Sequence, residues 1–233
     1  MLLTRAHPKP SIQEGFDRWQ REKHLPDLMQ APGIASVVYA LNVLDDLPEA
    51  CRGSGYCLAA YTARDLEGLF TFVRSPEVEA AVADGSSWFD HFNDIDYETY
   101  TGNVYEVIDV AGAGEEAPPP TSPLFVERWE VDEEDAAGFD TWLAETHLPA
   151  VAAVAGVRRA RTFRALRDGI PIPYYYSPGN RALIAELDDD FRAVLGSDGF
   201  VACLERSLAW ELRLGYVKRD VYRHEAHAVA ASA

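Results

Sequence analysis

One stretch occurs twice in this chain, as GFDRWQREKHLPDLMQAPGI at residues 15–34 and as GFDTWLAETHLPAVAAVAGV at residues 138–157. The second copy follows the first at a constant offset of 123 residues, and nine of the twenty aligned positions are identical. The identical pairs are Gly15/Gly138, Phe16/Phe139, Asp17/Asp140, Trp19/Trp142, Glu22/Glu145, His24/His147, Leu25/Leu148, Pro26/Pro149 and Gly33/Gly156. Unrelated sequences would share about one, so the pattern indicates two copies of one structural unit.

A segment rich in glycine, proline and acidic residues lies between the copies. Its sequence, AGAGEEAPPPTSP at residues 111–123, has no apolar periodicity and is typical of a linker. We therefore predict a first unit at residues 1–110, a second unit at residues 124–227 and a disordered tail at residues 228–233.

Each copy predicts the same order of elements, βαββαβ. The predicted strands cover residues 2–6, 34–43, 56–62 and 97–110, and then 124–131, 157–166, 181–187 and 216–223. The predicted helices cover residues 12–31 and 66–82, and then 134–155 and 191–212. Gly33 and Gly156 are predicted to end the first helix of each unit at positive φ. This order folds as a four-stranded antiparallel sheet with two helices on one face, and the second copy supplies a sheet to cover the other face.

Composition and charge exclude several classes of partner. The chain has 21 Lys and Arg against 38 Asp and Glu, a net charge of −17, which disfavours nucleic acid and anionic membranes. Hydrophobic residues make up 48%, enough to bury a sizeable core. The three cysteines are few and odd in number, which indicates a reducing compartment. Because no stretch has the length and apolarity of a signal peptide or a membrane span, we predict a cytoplasmic protein.

The aromatic residues and the His-Leu-Pro triplet of the repeated stretch resemble the first-helix pattern of the dimeric α+β barrel superfamily, in its EthD-like branch. The matching residues are Phe16, Trp19, His24, Leu25 and Pro26, with Phe139, Trp142, His147, Leu148 and Pro149. The resemblance implies an α+β fold in which two tandem ferredoxin-like units pack sheet to sheet as an intramolecular barrel. The chain is then a fused pseudo-dimer, which could pair again as a homodimer.

The His-Leu-Pro triplet predicts a break in the first helix. Proline lacks an N–H and disfavours the α conformation in the residue before it, so Leu25 and Leu148 are predicted to leave the helix. His24 falls at the edge of the buried helix stripe. Two interpretations stay open: one or both histidines face a pocket and act as general acid or base, or they donate to a carbonyl freed by the break.

Further candidate site residues are weaker. Tyr105 and Tyr222, in the last strand of each unit, could supply a phenolic donor on the helix-facing side, or they could be core tyrosines whose hydroxyls are satisfied within the protein. Arg159 and Arg161 alternate along a strand, share a face and could hold an anionic substrate. Aromatic candidates for substrate contact are Trp19, Trp142 and Tyr175, the last on a proline-rich loop. His224 and His227 are too few for a metal site, and no metal is predicted.

The resemblance implies proton transfer in an apolar cavity. The function hypothesis is a cofactor-independent lyase, isomerase or cyclase that acts on a small aromatic, polyketide-like or lactone molecule. His24 or His147 would move the proton, and Tyr105 or Tyr222 would orient the substrate. Two alternatives stay open: a haem enzyme of the same superfamily with a histidine as axial ligand, and a small-molecule binding protein without turnover.

Overall fold

The computed structural model describes residues 1–53, 55–91, 100–112, 122–167, 175–176 and 178–229. Nine strands lie in this part of the chain. They are β1 Leu2–Ala6, β2 Ile34–Asn42, β3 Cys57–Ala63, β4 Tyr100–Gly112, β5 Leu124–Glu130, β6 Val157–Leu166, β7 Tyr175–Tyr176, β8 Arg181–Leu187 and β9 Tyr216–Val229. β4 runs to the second residue of the predicted linker. β9 includes Ala228 and Val229, so the predicted tail is wrong for these two residues, because their backbone pairs with β2.

Eight of the strands form a closed antiparallel barrel. The hydrogen-bonded order is β1-β3-β2-β9-β5-β8-β6-β4, and β4 pairs with β1 to close the ring. Within each unit the last strand lies beside the first, as the ferredoxin-like order requires. The two units are joined where the last strand of each pairs with the second strand of the other, β4 with β6 and β9 with β2. The fused α+β barrel expected from the duplication is confirmed.

Helices cover the outside of the barrel. They are α1 Gln13–Trp19, α2 Leu25–Leu28, α3 Leu66–Val73, α4 Pro76–Gly85, α5 Glu133–Trp142, α6 Leu148–Ala152, α7 Phe191–Leu195 and α8 Asp198–Glu211. The second helix predicted in each unit is in fact two helices. Ser75 and Ser197 begin the later ones, since their hydroxyls accept from the backbone N–H groups of Val78 and Phe200. None of the helices in the described ranges is long and apolar enough to cross a membrane.

The prediction that Leu25 and Leu148 leave the α region at the His-Leu-Pro triplet is wrong, because both keep αR dihedrals. A π-helical turn, Gln20–His24 in the first unit and Leu143–His147 in the second, joins α1 to α2 and α5 to α6. Leu25 keeps helical dihedrals, φ −66° and ψ −45°, and its N–H donates to the carbonyl of Gln20 five residues earlier. The π-helical bond of Leu25 and the proline after it are compatible, because Pro26 has no N–H that would need an α-helical acceptor.

Positive φ at Gly33 and Gly156 is confirmed, at 88° and 87°. At Gly33 a Cβ atom would lie 2.1 Å from the carbonyl oxygen of Gly68, so only glycine allows the helix to turn so closely into β2.

Apolar side chains form three clusters. One lies between helices and sheet in each unit, around Phe16 and Phe72 in the first and around Phe139 and Phe200 in the second. The third fills the middle of the barrel. Strand alternation therefore separates two environments, the helix-facing side and the barrel interior.

Candidate functional site

A buried histidine–glutamate pair lies on the helix-facing side of the second unit. His147 ends the π-helical turn, and Glu127 projects from β5 beneath it. The Nε2–H of His147 donates to Oε2 of Glu127 at 2.6 Å, and both side chains are fully buried. Since a carboxylate accepts this bond, we assign the imidazole proton to Nε2.

Glu127 is held on its other side by Arg219 of β9. The Nε of Arg219 donates to Oε1 of Glu127 at 2.7 Å, and its Nη2 donates to Ser207 Oγ at 2.7 Å and to Glu211. Burial opposes ionisation of Glu127, but His147 and Arg219 outweigh it and hold the pKa of this carboxyl below its usual value. The network therefore places a carboxylate against His147.

Aromatic rings enclose the imidazole. The ring of Trp142 stacks on His147 with centroids 4.7 Å apart, and Trp129 meets it edge to face at 5.8 Å. The second ring nitrogen, Nδ1, is buried without a hydrogen-bond partner in the described part of the chain. A buried basic nitrogen without a hydrogen bond is costly, and Nδ1 of His24 is in the same state, so the carboxylate on Nε2 is what distinguishes His147.

His24, the counterpart in the first unit, has a different environment. Its ring stacks on Trp19 at 4.4 Å, and the Trp19 indole donates to Asp84 at 2.7 Å. Burial lowers the pKa of His24 to about 4, with Asp84 and Asp27 opposing the shift. The imidazole is therefore neutral at neutral pH and has no buried carboxylate bonded to it among the described residues.

The register explains why the two units differ. Glu127 lies opposite Arg219 in the sheet, and the matching pair in the first unit is Thr4 opposite Gly102. Ser207 lies ten residues after Ser197, which caps α8. The same count from Ser75, which caps α4, reaches Gly85 in the first unit. Three polar partners in the second unit are thus replaced by a threonine and two glycines in the first.

Tyr105 and Tyr222 do not lie beside the histidines, and their predicted helix-facing position is wrong. Both belong to the cluster inside the barrel, with Leu124 and Phe163. Tyr222 is the cross-strand neighbour of Leu124, whereas Arg219 is that of Glu127, and positions 124 and 127 face opposite sides of β5. The Tyr105 hydroxyl donates to the carbonyl of Gly179 at 2.6 Å. These tyrosines are separated from His24 and His147 by the sheet.

Arg159 and Arg161 share a face, as expected, and that face is the barrel interior. Arg159 binds Glu186 of β8 through Nε at 2.8 Å and through Nη2, and Nη2 of Arg161 lies 3.4 Å from the same carboxylate. Trp19 and Trp142 are half-buried and touch the two histidines. The backbone of Tyr175 pairs with Thr101, and its side chain lies outside the described residues.

Neither histidine environment fits haem. The Nε2 of His147 is bound to Glu127, and its Nδ1 is buried beside aromatic rings, so a group as large as haem would reach neither nitrogen unless the Leu143–His147 turn moved. His24 is 4% exposed and lies between Trp19 and α4. The described residues contain no cluster of three or more His, Cys, Asp or Glu side chains able to hold a metal ion. His224 and His227 lie in β9.

Glu127 and Arg219 are the site residues that sequence reasoning missed. A signal existed in the strand LFVERWE, where Glu127 and Arg128 are adjacent and have apolar residues on both sides. A strand covered on both faces buries both side chains, and each buried charge then needs a partner. The two residues face opposite sides: Glu127 binds His147, and Arg128 binds Asp220 inside the barrel at 2.9 Å.

Comparison with known proteins identifies similar structures but no similar sequence. No protein-family profile and no curated protein matches the chain. An anthrone oxidase-like protein is similar over 99% of this chain and 92% of its own, with a TM-score of 0.64 and 14% identity. A protein from Fusobacterium nucleatum named as a monooxygenase is similar over 100% of this chain and 94% of its own, with a TM-score of 0.61 and 10% identity. Another protein named as a monooxygenase, from Lactobacillus acidophilus, is similar over 98% of this chain and 94% of its own, with a TM-score of 0.54 and 11% identity.

At these identities the likeness concerns the fold. The chain has the dimeric α+β barrel fold, and both units of the barrel are contained in one polypeptide.

Proposed function

We propose that the protein catalyses proton transfer on a small aromatic, polyketide-like or lactone molecule without a cofactor, in a lyase, isomerase or cyclase reaction. We assign the proton transfer to His147. The observation that carries the proposal is the state of its two ring nitrogens: one is held by a buried carboxylate, and the other is buried without a protein partner.

The arrangement supplies a general base. With its proton on Nε2, the imidazole presents the Nδ1 lone pair to a substrate C–H or O–H group. As Nδ1 takes up the proton, the imidazolium is stabilised by Glu127, which Arg219 keeps ionised. The imidazolium then returns the proton to another substrate atom, which completes an isomerisation, elimination or cyclisation without net change in the enzyme.

The surroundings of His147 favour a flat substrate. Trp142 and Trp129 provide aromatic surface on two sides of the imidazole. His147 is 1% exposed, so a substrate reaches Nδ1 only when the Leu143–His147 turn moves away from the sheet. π-helical turns occur often at functional sites, and we place substrate access at this one.

We assign the reaction to the second unit alone. His24 lacks the carboxylate that Glu127 provides, because Thr4 stands at that position. An imidazole with a pKa of about 4 is also a weak base. The first unit then serves as the half that completes the barrel.

The test measures proton abstraction directly. Anthrone is a suitable probe because its methylene group is acidified by two aromatic rings and the carbonyl, and one of the similar structures is named anthrone oxidase-like. Under anaerobic conditions in D2O, proton NMR follows the exchange of this methylene group for deuterium. We expect the protein to accelerate exchange above a buffer control, and His147→Gln to reduce that acceleration by about 10²- to 10⁴-fold.

The matched control is His24→Gln, which removes the other repeated imidazole and should leave the acceleration within about twofold of the wild type. Glu127→Gln should lower it substantially while anthrone affinity is retained, because the carboxylate acts through His147. Equal loss in His24→Gln and His147→Gln would contradict the assignment to the second unit. Saturable binding of anthrone without accelerated exchange would instead indicate the binding-protein alternative.

A further inference from the structure

A cavity of about 230 Å3 lies beside the start of β1, between β3 and β4. Thr62, Tyr105, Val107, Arg161 and Phe163 line it from the side of the barrel interior. His147 and Trp142 do not line it, and the sheet separates it from them. An apolar protein cavity of about 150 Å3 holds a benzene molecule, so this volume accommodates an aromatic ring with a small substituent.

Arg161 gives the cavity an under-compensated positive charge. Arg159 donates two hydrogen bonds to Glu186, so the single carboxylate is shared by two guanidinium groups. Arg161 contacts it only at 3.4 Å, and its Nε is buried without a hydrogen-bond partner among the described residues. Burial, and then Arg159, lower the pKa of Arg161 to about 10 against the pull of Glu186, which leaves it cationic at neutral pH.

The other titratable groups around the cavity limit the ligand to a single negative charge. The N-terminal amine of Met1 also lines the cavity, and burial, followed by Arg161, lowers its pKa to about 6, so it is largely uncharged at neutral pH. Arg64, Asp65 and Glu106 are exposed at the mouth, where water screens them. Their sum is negative, as is the whole chain at −17, so a dianion or polyanion is repelled on approach. A monoanion that reaches Arg161 completes its hydrogen bonding, since a carboxylate can accept from Nε and from one Nη atom together.

We propose that this cavity binds a small aromatic monocarboxylate, whose carboxylate pairs with Arg161 and whose ring lies against Phe163, Tyr105 and Val107. Arg161 already lies over the Phe163 ring at 5.5 Å, so the charged group and the apolar wall adjoin. This site is independent of the proton-transfer site, because the two lie on opposite faces of the sheet.

Titration calorimetry with benzoate tests the site, and benzamide is the uncharged probe of the same shape. We expect saturable benzoate binding, and benzamide binding at least tenfold weaker. Arg161→Met keeps the length of the side chain but removes the charge, and it should weaken benzoate by about ten- to hundredfold. Arg64→Met, at the exposed mouth, is the matched control and should change benzoate affinity by less than about threefold.

A second variant keeps the test decisive if Arg161→Met does not fold. Thr62→Phe leaves every charge in place and fills the cavity, so it should abolish benzoate binding while His147→Gln leaves it unchanged. No saturable benzoate binding by the wild type would overturn the proposal. So would benzoate binding that survives in Thr62→Phe or in a folded Arg161→Met.

Discussion

Two histidines in matching positions show how neighbouring residues decide what a side chain can do. His24 and His147 both end a π-helical turn and both stack on a tryptophan five residues earlier in the helix. Only His147 has a carboxylate within hydrogen-bond distance, because β5 provides Glu127 where β1 provides Thr4. The repeat therefore preserved the packing of the imidazole, and the sheet beneath it determines the chemistry.

Burial of His24 should make folding stability depend on pH. Its folded-state pKa is about 4 against an ordinary value of 6.5, so between these values the unfolded chain binds more protons. The contribution of His24 to the free energy of unfolding is complete above pH 6.5, decreases as the pH falls, and is lost by about pH 4. The change in the free energy of unfolding over this range is about 3 kcal/mol. Urea unfolding of His24→Phe should show a flatter dependence over this window. His91→Phe, at an exposed histidine, is the control and should keep the wild-type slope; equal slopes in all three proteins would refute the effect.

The site was only partly predictable from residue patterns. The His-Leu-Pro triplet and its tryptophans were found because the duplication marks them. Tyr105 and Tyr222 were placed on the wrong face, because one residue of error in strand register reverses the side to which every side chain points. The charged pair in the β5 sequence indicates that Glu127 needs a partner, but that the partner is His147, 20 positions away on the π-helical turn, is encoded by no local pattern.

At the scale of elements, the prolines of the repeat are accommodated rather than disruptive. Pro26 and Pro149 lie in the first turn of α2 and α6, where a residue needs no N–H for α-helical bonding. Each follows directly on a π-helical turn. The expectation that the residue before proline leaves the α region failed here because Leu25 makes a π-helical bond instead, to the carbonyl of Gln20. The split of the second helices was also missed, although Ser75-Pro76 and Gly196-Ser197 are ordinary helix-start signals.

One carboxylate joins the end of β5 to the segment before β8. Glu130 accepts two hydrogen bonds from Arg167 at 2.6 and 2.7 Å, and one from each backbone N–H of Gly179 and Asn180. Burial opposes its ionisation, but Arg167 and these N–H groups outweigh it and hold its pKa below the usual value.

Glu130→Gln should therefore loosen this junction. The amide cannot accept from the guanidinium and both N–H groups as a carboxylate does, and we expect unfolding free energy to fall by about 1.5–3 kcal/mol. Amide hydrogen exchange at Gly179 and Asn180 should accelerate, whereas exchange in β1 should not. Glu106→Gln, at an exposed position on β4, is the control. Unchanged protection of Gly179 and Asn180 would show that Asn180, through its bonds to Val131, holds the segment without Glu130.

At the scale of the whole molecule, each unit completes the other's sheet. Without the second unit, β2 and β4 would each expose an edge of unpaired N–H and C=O groups, and interior side chains of the first unit such as Leu3 and Leu58 would face water. This arrangement was predictable, because two copies of a one-faced sheet have one simple way to bury their bare faces. The pairing of β4 with β6 and β9 with β2 was not, because the residues of those strands give no register between the units.

The strand pairings between units predict that the connection at residues 113–121 is dispensable for keeping the barrel together. A protease site inserted there allows the folded chain to be cut once. Because β4–β6 and β2–β9 hydrogen bonds and the shared interior remain, the nicked protein should elute with the uncut protein in native size-exclusion chromatography. Its urea midpoint should now rise with protein concentration, since unfolding releases two chains instead of one. The uncut chain with the same insertion should show no such dependence. Separation of the two fragments in native buffer would show that the linker, rather than the strand pairing between the units, holds the units together.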